Sequence, residues 1–292
     1  MNSVHESDLA QKRKVLNFVT RFKGLKAMFT TGTRNCGFLI TAIFSFYCVG
    51  THGEMLPDYE REGRLAAEAE AGLFEGDAVY LSDGEREFLN LYTEVEDAQR
   101  AVILLHGRGF HPDWPQVAAP LREGLSENGL TTLSVQMPVL RKDAKYYDYL
   151  KIIDYSFPRI EAAIGFLKRN GYDWIAVVAH SCSVHMTMAW LNRFGDASID
   201  AYVGIGMEAT DYKQPMLEKF PFESIKVPVL DLYGSEDYPA VIAGARSRLE
   251  AIELAGNSQS RQLKIEGPDH FFEQYEDDLV REVSQWLHTL QN

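Results

Sequence analysis

The rhythm of apolar and polar positions changes along the chain. The run "PDYEREGRLAAEAEAGLF" is rich in Ala and Glu and predicts a helix over Pro57–Phe74. Two strand-like runs follow, "DAVYL" and "EFLNLYTEV", separated by the turn signal "SDGER", and predict an antiparallel hairpin. From Ala101 onward, continuous apolar runs alternate with helical patterns. "AVILLHG", "LTTLSVQMP", "WIAVVAH", "AYVGIGM", "VPVLDLYG" and "RQLKIEG" read as strands. "PQVAAPLREGLSENG", "PRIEAAIGFLKRNG", the residues after Ser181 through Asn192, "PAVIAGARSRLEAIELAG" and "YEDDLVREVSQWLHTLQ" read as helices. Strands that are apolar throughout, with helices between them, predict a parallel sheet covered on both faces. The fold class is therefore α/β: a mostly parallel central sheet, helices on both faces, and an N-terminal antiparallel hairpin that makes the sheet mixed.

Two stretches break the alternation. "RKDAKYYDYLKIIDYSF" (Arg141–Phe157) mixes lysines with tyrosines, and "EATDYKQPMLEKFPFES" (Glu208–Ser224) carries two prolines. Both leave the C-terminal end of a strand, the side on which open α/β sheets bind ligands. They are expected to set specificity.

The net charge of −13 excludes a nucleic-acid partner, which needs a basic surface. The charge is uneven. Residues 1–35 carry a net +5, leaving −18 for the rest. The uncharged run "CGFLITAIFSFYCVG" (Cys36–Gly50) follows the basic stretch. At 15 residues it is short of the ~20 needed to span a bilayer and suits the apolar region of an export signal. The expectation is export to the periplasm or envelope, with Met28 as an alternative start; the rival is an inner-membrane anchor associating through residues 36–50. Residues 1–53 are thus read as a basic extension plus signal or anchor, and 54–292 as one domain. Two of the three cysteines fall in the apolar run, so the mature chain keeps only Cys182 and has no internal disulfide.

The chemistry gathers at strand ends. In "AVVAHSCSVHM" (Ala176–Met186) an apolar strand stops on Ser181, which suits a nucleophile elbow. Ala179 and Ser183 stand where the G-x-S-x-G pattern has glycines, so the turn is more crowded. A serine needs a base, and the base needs an acid to orient it. Asp237 lies just past "VPVLDLYG" and His270 just past "RQLKIEG", in the chain order serine, acid, histidine. Two backbone N–H groups are expected to form an oxyanion hole: Cys182, after the nucleophile, and Arg108 in the loop "HGRGFHPDW", with Gly109 second to Arg108.

At these residues the chain resembles the α/β-hydrolase superfamily, over roughly Asp77 to the C-terminus. More narrowly it resembles a bacterial α/β-hydrolase-like family of uncharacterised function, in "ILLHGRGFHPDWP", "TLSVQMPVL", "VPVLDLYGSEDYPAV" and "DHFF". The resemblance implies a hydrolase fold and a Ser181–Asp237–His270 triad acting on a small-molecule acyl substrate, an ester by the superfamily's leaning. It supplies no substrate identity and no cofactor.

Each residue also has a plainer reading. Ser181 caps a helix well. Asp237 can be a surface turn residue with Glu236 as the rival acid, and His270 a structural histidine. His106 braces the oxyanion loop, and Arg108 pairs with a nearby acid or meets an anionic group. His180 and His185 are about 500° apart in helical rotation and lack metalloprotease spacing, so no metal is expected. The alternative from another class is a catalytically silent binding protein on the same fold, held at the cell envelope.

Overall fold

A computed structural model describes residues 55–217 and 219–290. The expectations for residues 1–53, including the apolar run 36–50, lie outside the described residues.

Helix α1 (Tyr59–Gly72) begins where the Asp58 carboxylate accepts the Arg61 N–H at 3.0 Å, a side-chain cap on an otherwise orphaned donor. The hairpin follows as β1 (Asp77–Ser82) and β2 (Glu87–Thr93), in register from Asp77↔Tyr92 to Ser82↔Glu87. Next come β3 (Arg100–Leu105), α2 (Ala118–Glu127) and β4 (Thr131–Val135). The aromatic-basic stretch forms a single turn, α3 (Tyr146–Tyr149), and a 3₁₀ segment (Leu150–Ser156) that runs into α4 (Phe157–Arg169). Then come β5 (Trp174–His180), α5 (Cys182–Phe194) and β6 (Ala201–Ile205). The Pro-containing excursion after β6 has only a short 3₁₀ turn, Phe222–Ser224, among its described residues. The chain closes with β7 (Val229–Gly234), α6 (Pro239–Ala255), β8 (Arg261–Ile265) and α7 (Glu276–Thr289).

The eight strands form one sheet in the order β1-β2-β4-β3-β5-β6-β7-β8. The β1/β2 and β2/β4 pairs are antiparallel; every other pair is parallel. This is the mixed, mostly parallel sheet that the sequence predicts.

Strand alternation divides the core into two layers. Val102 and Leu104 of β3, with Ala176 and Val178 of β5, face Leu121 and Leu125 of α2 and Leu279, Val283 and Leu287 of α7. Ala101, Ile103 and Leu105 face the other way, with Val177 and Ala179, toward Ile160, Ala163 and Leu167 of α4 and Val184 and Met188 of α5. Each fully buried branched side chain contributes about 1.5–3 kcal/mol, which holds the central strands rigid beneath their tips.

A buried arginine and a half-buried one tie loops to this frame. Arg159, 1% exposed, reaches Glu62 of α1 at 2.9 Å and the Gln136 carbonyl at 3.0 Å. Arg61, one turn into α1, donates to the Leu140 carbonyl at 2.7 Å and the Gly109 carbonyl at 2.9 Å.

Helices α2 and α7 approach closely at Gly124, where an added Cβ would lie 2.4 Å from Val280 Cγ1. Gly to Ala within a helix ordinarily gains up to about 1 kcal/mol. Here the stiff Val280 leaves no room, so Gly124→Ala is expected to destabilise by about 1–3 kcal/mol. Thermal melting reads the sign: a raised Tm would contradict the close packing of α2 on α7.

Candidate active site

Ser181 sits between β5 and α5 with φ +56° and ψ −116°. A non-glycine residue there costs about 1–3 kcal/mol and persists only when its neighbours hold it. The Ser181 N–H donates to the Ile205 carbonyl at 2.9 Å, and the Ser181 carbonyl accepts from Val184 N–H at 3.0 Å. Ser183 adds a further tie. Its hydroxyl donates to the His106 carbonyl at 2.5 Å, joining the first turn of α5 to the end of β3. The serine in the place of the second elbow glycine is therefore a fastener as well as a small residue. Ser181 does not cap α5 through its side chain.

His270, 1% exposed, stands in the loop after β8. Its Nε2 is 2.8 Å from Ser181 Oγ, and its Nδ1 is 2.6 Å from Asp237 Oδ1. A carboxylate only accepts, so Nδ1 carries the proton and Nε2 is free to accept from the serine hydroxyl. Asp237 is 4% exposed, whereas Glu236 is exposed and lies outside this line. Asp237 Oδ1 also accepts the Tyr238 N–H at 2.6 Å. The structure thus brings together Ser181, Asp237 and His270.

Several neighbours that sequence reasoning did not assign position the imidazole. Tyr238 stacks on it, centroids 4.1 Å apart and planes 20° from parallel. His180 Nε2–H donates to the His270 carbonyl at 2.9 Å. Gly206, at φ +63°, lies so close that a Cβ there would be 2.7 Å from His270 Cε1 and 3.3 Å from Asp237 Oδ2. The only sequence signal for these roles was proximity to the strand tips.

The loop after β3 is braced by His106. Met137 N–H donates to its Nε2 at 2.9 Å, which makes Nδ1 the protonated nitrogen; Nδ1–H donates to the Gly107 carbonyl at 2.8 Å. Phe110 N–H reaches the same carbonyl at 3.3 Å. A trans peptide points its N–H opposite its C=O, so pinning the Gly107 carbonyl fixes the direction of the Arg108 N–H. Neither that N–H nor the Cys182 N–H has an acceptor among the described residues. Arg108 and Cys182 border one small cavity with Ser181, together with Tyr146, Ala209 and Tyr238.

The Arg108 guanidinium pairs with Asp211, which lies beyond β6. Asp211 Oδ2 also accepts the Tyr146 N–H at 2.7 Å. Partial burial pushes the Asp211 carboxyl up, but Arg108 and the Tyr146 N–H together outweigh it and hold it below the ordinary range. Both irregular excursions therefore meet at the loop after β3. The Cys182 thiol is buried and pushed up to about 12, chiefly by loss of solvent, so it is no nucleophile near neutral pH. His180 and His185 donate to different carbonyls, of His270 and Ala209. Among the described residues no group of three or more His, Cys, Asp or Glu side chains is placed to hold a metal.

Burial pushes His106 and His180 down to about 3 and His185 down to about 4. In the unfolded chain such rings take up protons below about pH 6.5. The unfolded state therefore binds more protons between about pH 4 and 6.5, and stability rises with pH across that window. It is present in full above about 6.5 and falls as the solution is acidified, by about 1.4 kcal/mol per pH unit for each ring. Urea unfolding from pH 7 to 4.5 is expected to show this loss, and His185→Gln to make it shallower; an unchanged slope in the variant would refute the neutral buried imidazole. Gly206→Ala is expected to displace His270 and abolish the deshielded Nδ1 proton resonance of the His270–Asp237 pair. Survival of that resonance would show that the ring is not held from this side.

Comparison with known proteins adds the wider setting. No curated protein matches the chain. Among solved structures it is similar to a dienelactone hydrolase from Anabaena variabilis, with 18% identity, TM-score 0.58, and coverage of 75% of this chain and 99% of that one. It is also similar to an esterase from Pyrococcus furiosus, with 16% identity, TM-score 0.58, and coverage of 74% and 93%. A serine hydrolase without a lid from Xanthomonas campestris matches with 14% identity, TM-score 0.56, and coverage of 74% and 95%. At these identities the likeness establishes the fold, which is that of the α/β hydrolases. A family model described as "Protein of unknown function (DUF3530)" matches residues 50–149 and 148–289. With that match running over most of its length, the chain belongs to the DUF3530 family and carries an α/β-hydrolase fold.

Proposed function

We propose that this protein is a serine hydrolase that cleaves an acyl bond, a carboxylic ester by class, through an acyl-enzyme. One observation carries the reading: an unbroken line of hydrogen bonds from Ser181 Oγ through both nitrogens of His270 to Asp237, at 2.8 and 2.6 Å. The hydrolase and esterase names of the structural neighbours support the same class.

The chemistry follows from the tautomer. His270 Nε2 takes the Ser181 proton as Oγ bonds to the substrate carbonyl carbon. Asp237 holds the ring and stabilises the imidazolium. The oxyanion accepts from the Cys182 and Arg108 N–H groups, whose directions are set before substrate arrives. When the tetrahedral intermediate collapses, the leaving alkoxide takes the proton from Nε2. Water, deprotonated by the same nitrogen, then attacks the acyl-enzyme; as the C–Oγ bond breaks, Nε2–H returns the proton to Ser181 Oγ and the acid leaves. The buried position of Asp237 matters here, since low local polarity strengthens its attraction for the ring.

Residues 36–50 are proposed to export this domain to the periplasm or envelope. Among the described residues no helix is long and apolar enough to cross a membrane. Fractionation with and without residues 1–50 tests the point; release into the soluble fraction only on truncation would favour the anchor.

The direct test of the activity is labelling by a fluorophosphonate probe. Wild type is expected to label, and Ser181→Ala and His270→Ala to lose labelling, with kcat on an ester lowered by about 10⁴-fold or more. A folded wild type that does not label would replace this reading with the silent binding protein.

A further inference from the structure

The cavity at Ser181 holds about 20 Å³ of free space, roughly that of one water. An acyl group larger than acetyl must therefore extend elsewhere. An open cleft of about 790 Å³ lies next to it, between α5, the 3₁₀ segment and the excursion after β6. Tyr146 borders both spaces. The wall between them continues through His185, which borders the cleft and donates to the carbonyl of Ala209, a residue of the Ser181 cavity.

The floor of the cleft is a single face of α5. His185, Met188, Ala189 and Asn192 border it, at four, seven, eight and eleven residues past Ser181. That is the spacing of one helical stripe, and it starts at the nucleophile. His185 lies about 6 Å and Ala189 about 12 Å along the helix axis from Ser181. The opposite wall carries Ile153, Phe157 and Phe220. His185 is held neutral by burial, down to about 4. The charged residues on the border, Asp154, Arg193 and Lys219, are exposed to solvent.

We infer that this cleft receives the acyl chain, which makes a medium-chain aliphatic ester the substrate class and Ala189 and Phe220 specificity residues. The inference rests on the serine-hydrolase reading above. The chain would leave the Ser181 carbonyl carbon past the Tyr146 ring, which packs on His185 with centroids 4.7 Å apart and must turn aside, and lie along the α5 stripe, with its apolar surface against Phe157 and Phe220.

The experiment compares kcat/KM on p-nitrophenyl acetate, butanoate, hexanoate and octanoate, beside labelling by a short-chain fluorophosphonate. Wild type is expected to gain about fourfold for each methylene it buries fully. Ala189→Phe adds bulk to a half-exposed helix position. It is expected to remove the gain on octanoate while acetate turnover and labelling stay within twofold. Phe220→Ala, which widens the cleft, is expected to shift the preference toward longer chains. Wild-type labelling with a flat chain-length profile would overturn the acyl-cleft inference alone, and so would an Ala189→Phe variant whose profile matches wild type. A wild type that neither labels nor turns over any ester would overturn the underlying reading as well.

Discussion

The site depends on the backbone turn at Ser181. Its positive φ is unfavourable on its own, so the surrounding structure must impose it. The imposition is mechanical. Strand β5 is paired on both sides, to β3 and β6, up to the residues just before the turn. The Ile205 carbonyl holds the Ser181 N–H. Ser183 then fastens the start of α5 to the end of β3. The turn cannot relax without breaking the centre of the sheet. The Ser181 hydroxyl is therefore presented at a fixed place, against which His270 on one side and the Arg108 loop on the other are positioned.

The same frame explains why histidines besides His270 are buried around the site. His106, His180 and His185 are all buried and each donates to a backbone carbonyl, of Gly107, His270 and Ala209. Three different loops are thus held by neutral rings. A charged side chain in these places would demand a counter-ion in the core, at a cost of several kcal/mol. Imidazole offers a rigid donor without that penalty, provided the solution is not acidic. Such an arrangement fixes the loops around Ser181 without adding further buried charge beside Asp237.

The apolar runs made the sheet legible, since strands covered on both faces leave a strong mark in sequence. The relative order of Ser181, Asp237 and His270 was legible for a related reason: Ser181 follows directly on the end of β5, and Asp237 and His270 stand three and five residues past the ends of β7 and β8, so each place near a strand tip could be read. What was not legible depends on partners far apart in the chain. Ser183 looked like a mere small residue, because its acceptor is 77 positions upstream. Arg108 and Asp211 are 103 positions apart, and Asp211 lies in a stretch with no period to read. Gly206 gave no sign that it touches His270, because a close approach leaves no pattern. The excursions 141–157 and 208–224 fold around the site by such single contacts, which is why periodicity fails there.

The distance in sequence between Arg61 and His270 has a consequence for how the protein is made. Arg61, near the start of the described residues, grips the Gly109 carbonyl of the loop after β3. His270 arrives just after β8, which among the described residues pairs only with β7, at the edge of the sheet. A chain emerging from the ribosome can therefore build the central strands and the Ser181 turn while the serine still lacks its partner. The hydroxyl acquires His270 only once nearly the whole polypeptide has been delivered. The hydrogen-bonded line from Ser181 to Asp237 is a property of the finished molecule, and a chain interrupted before β8 would lack it.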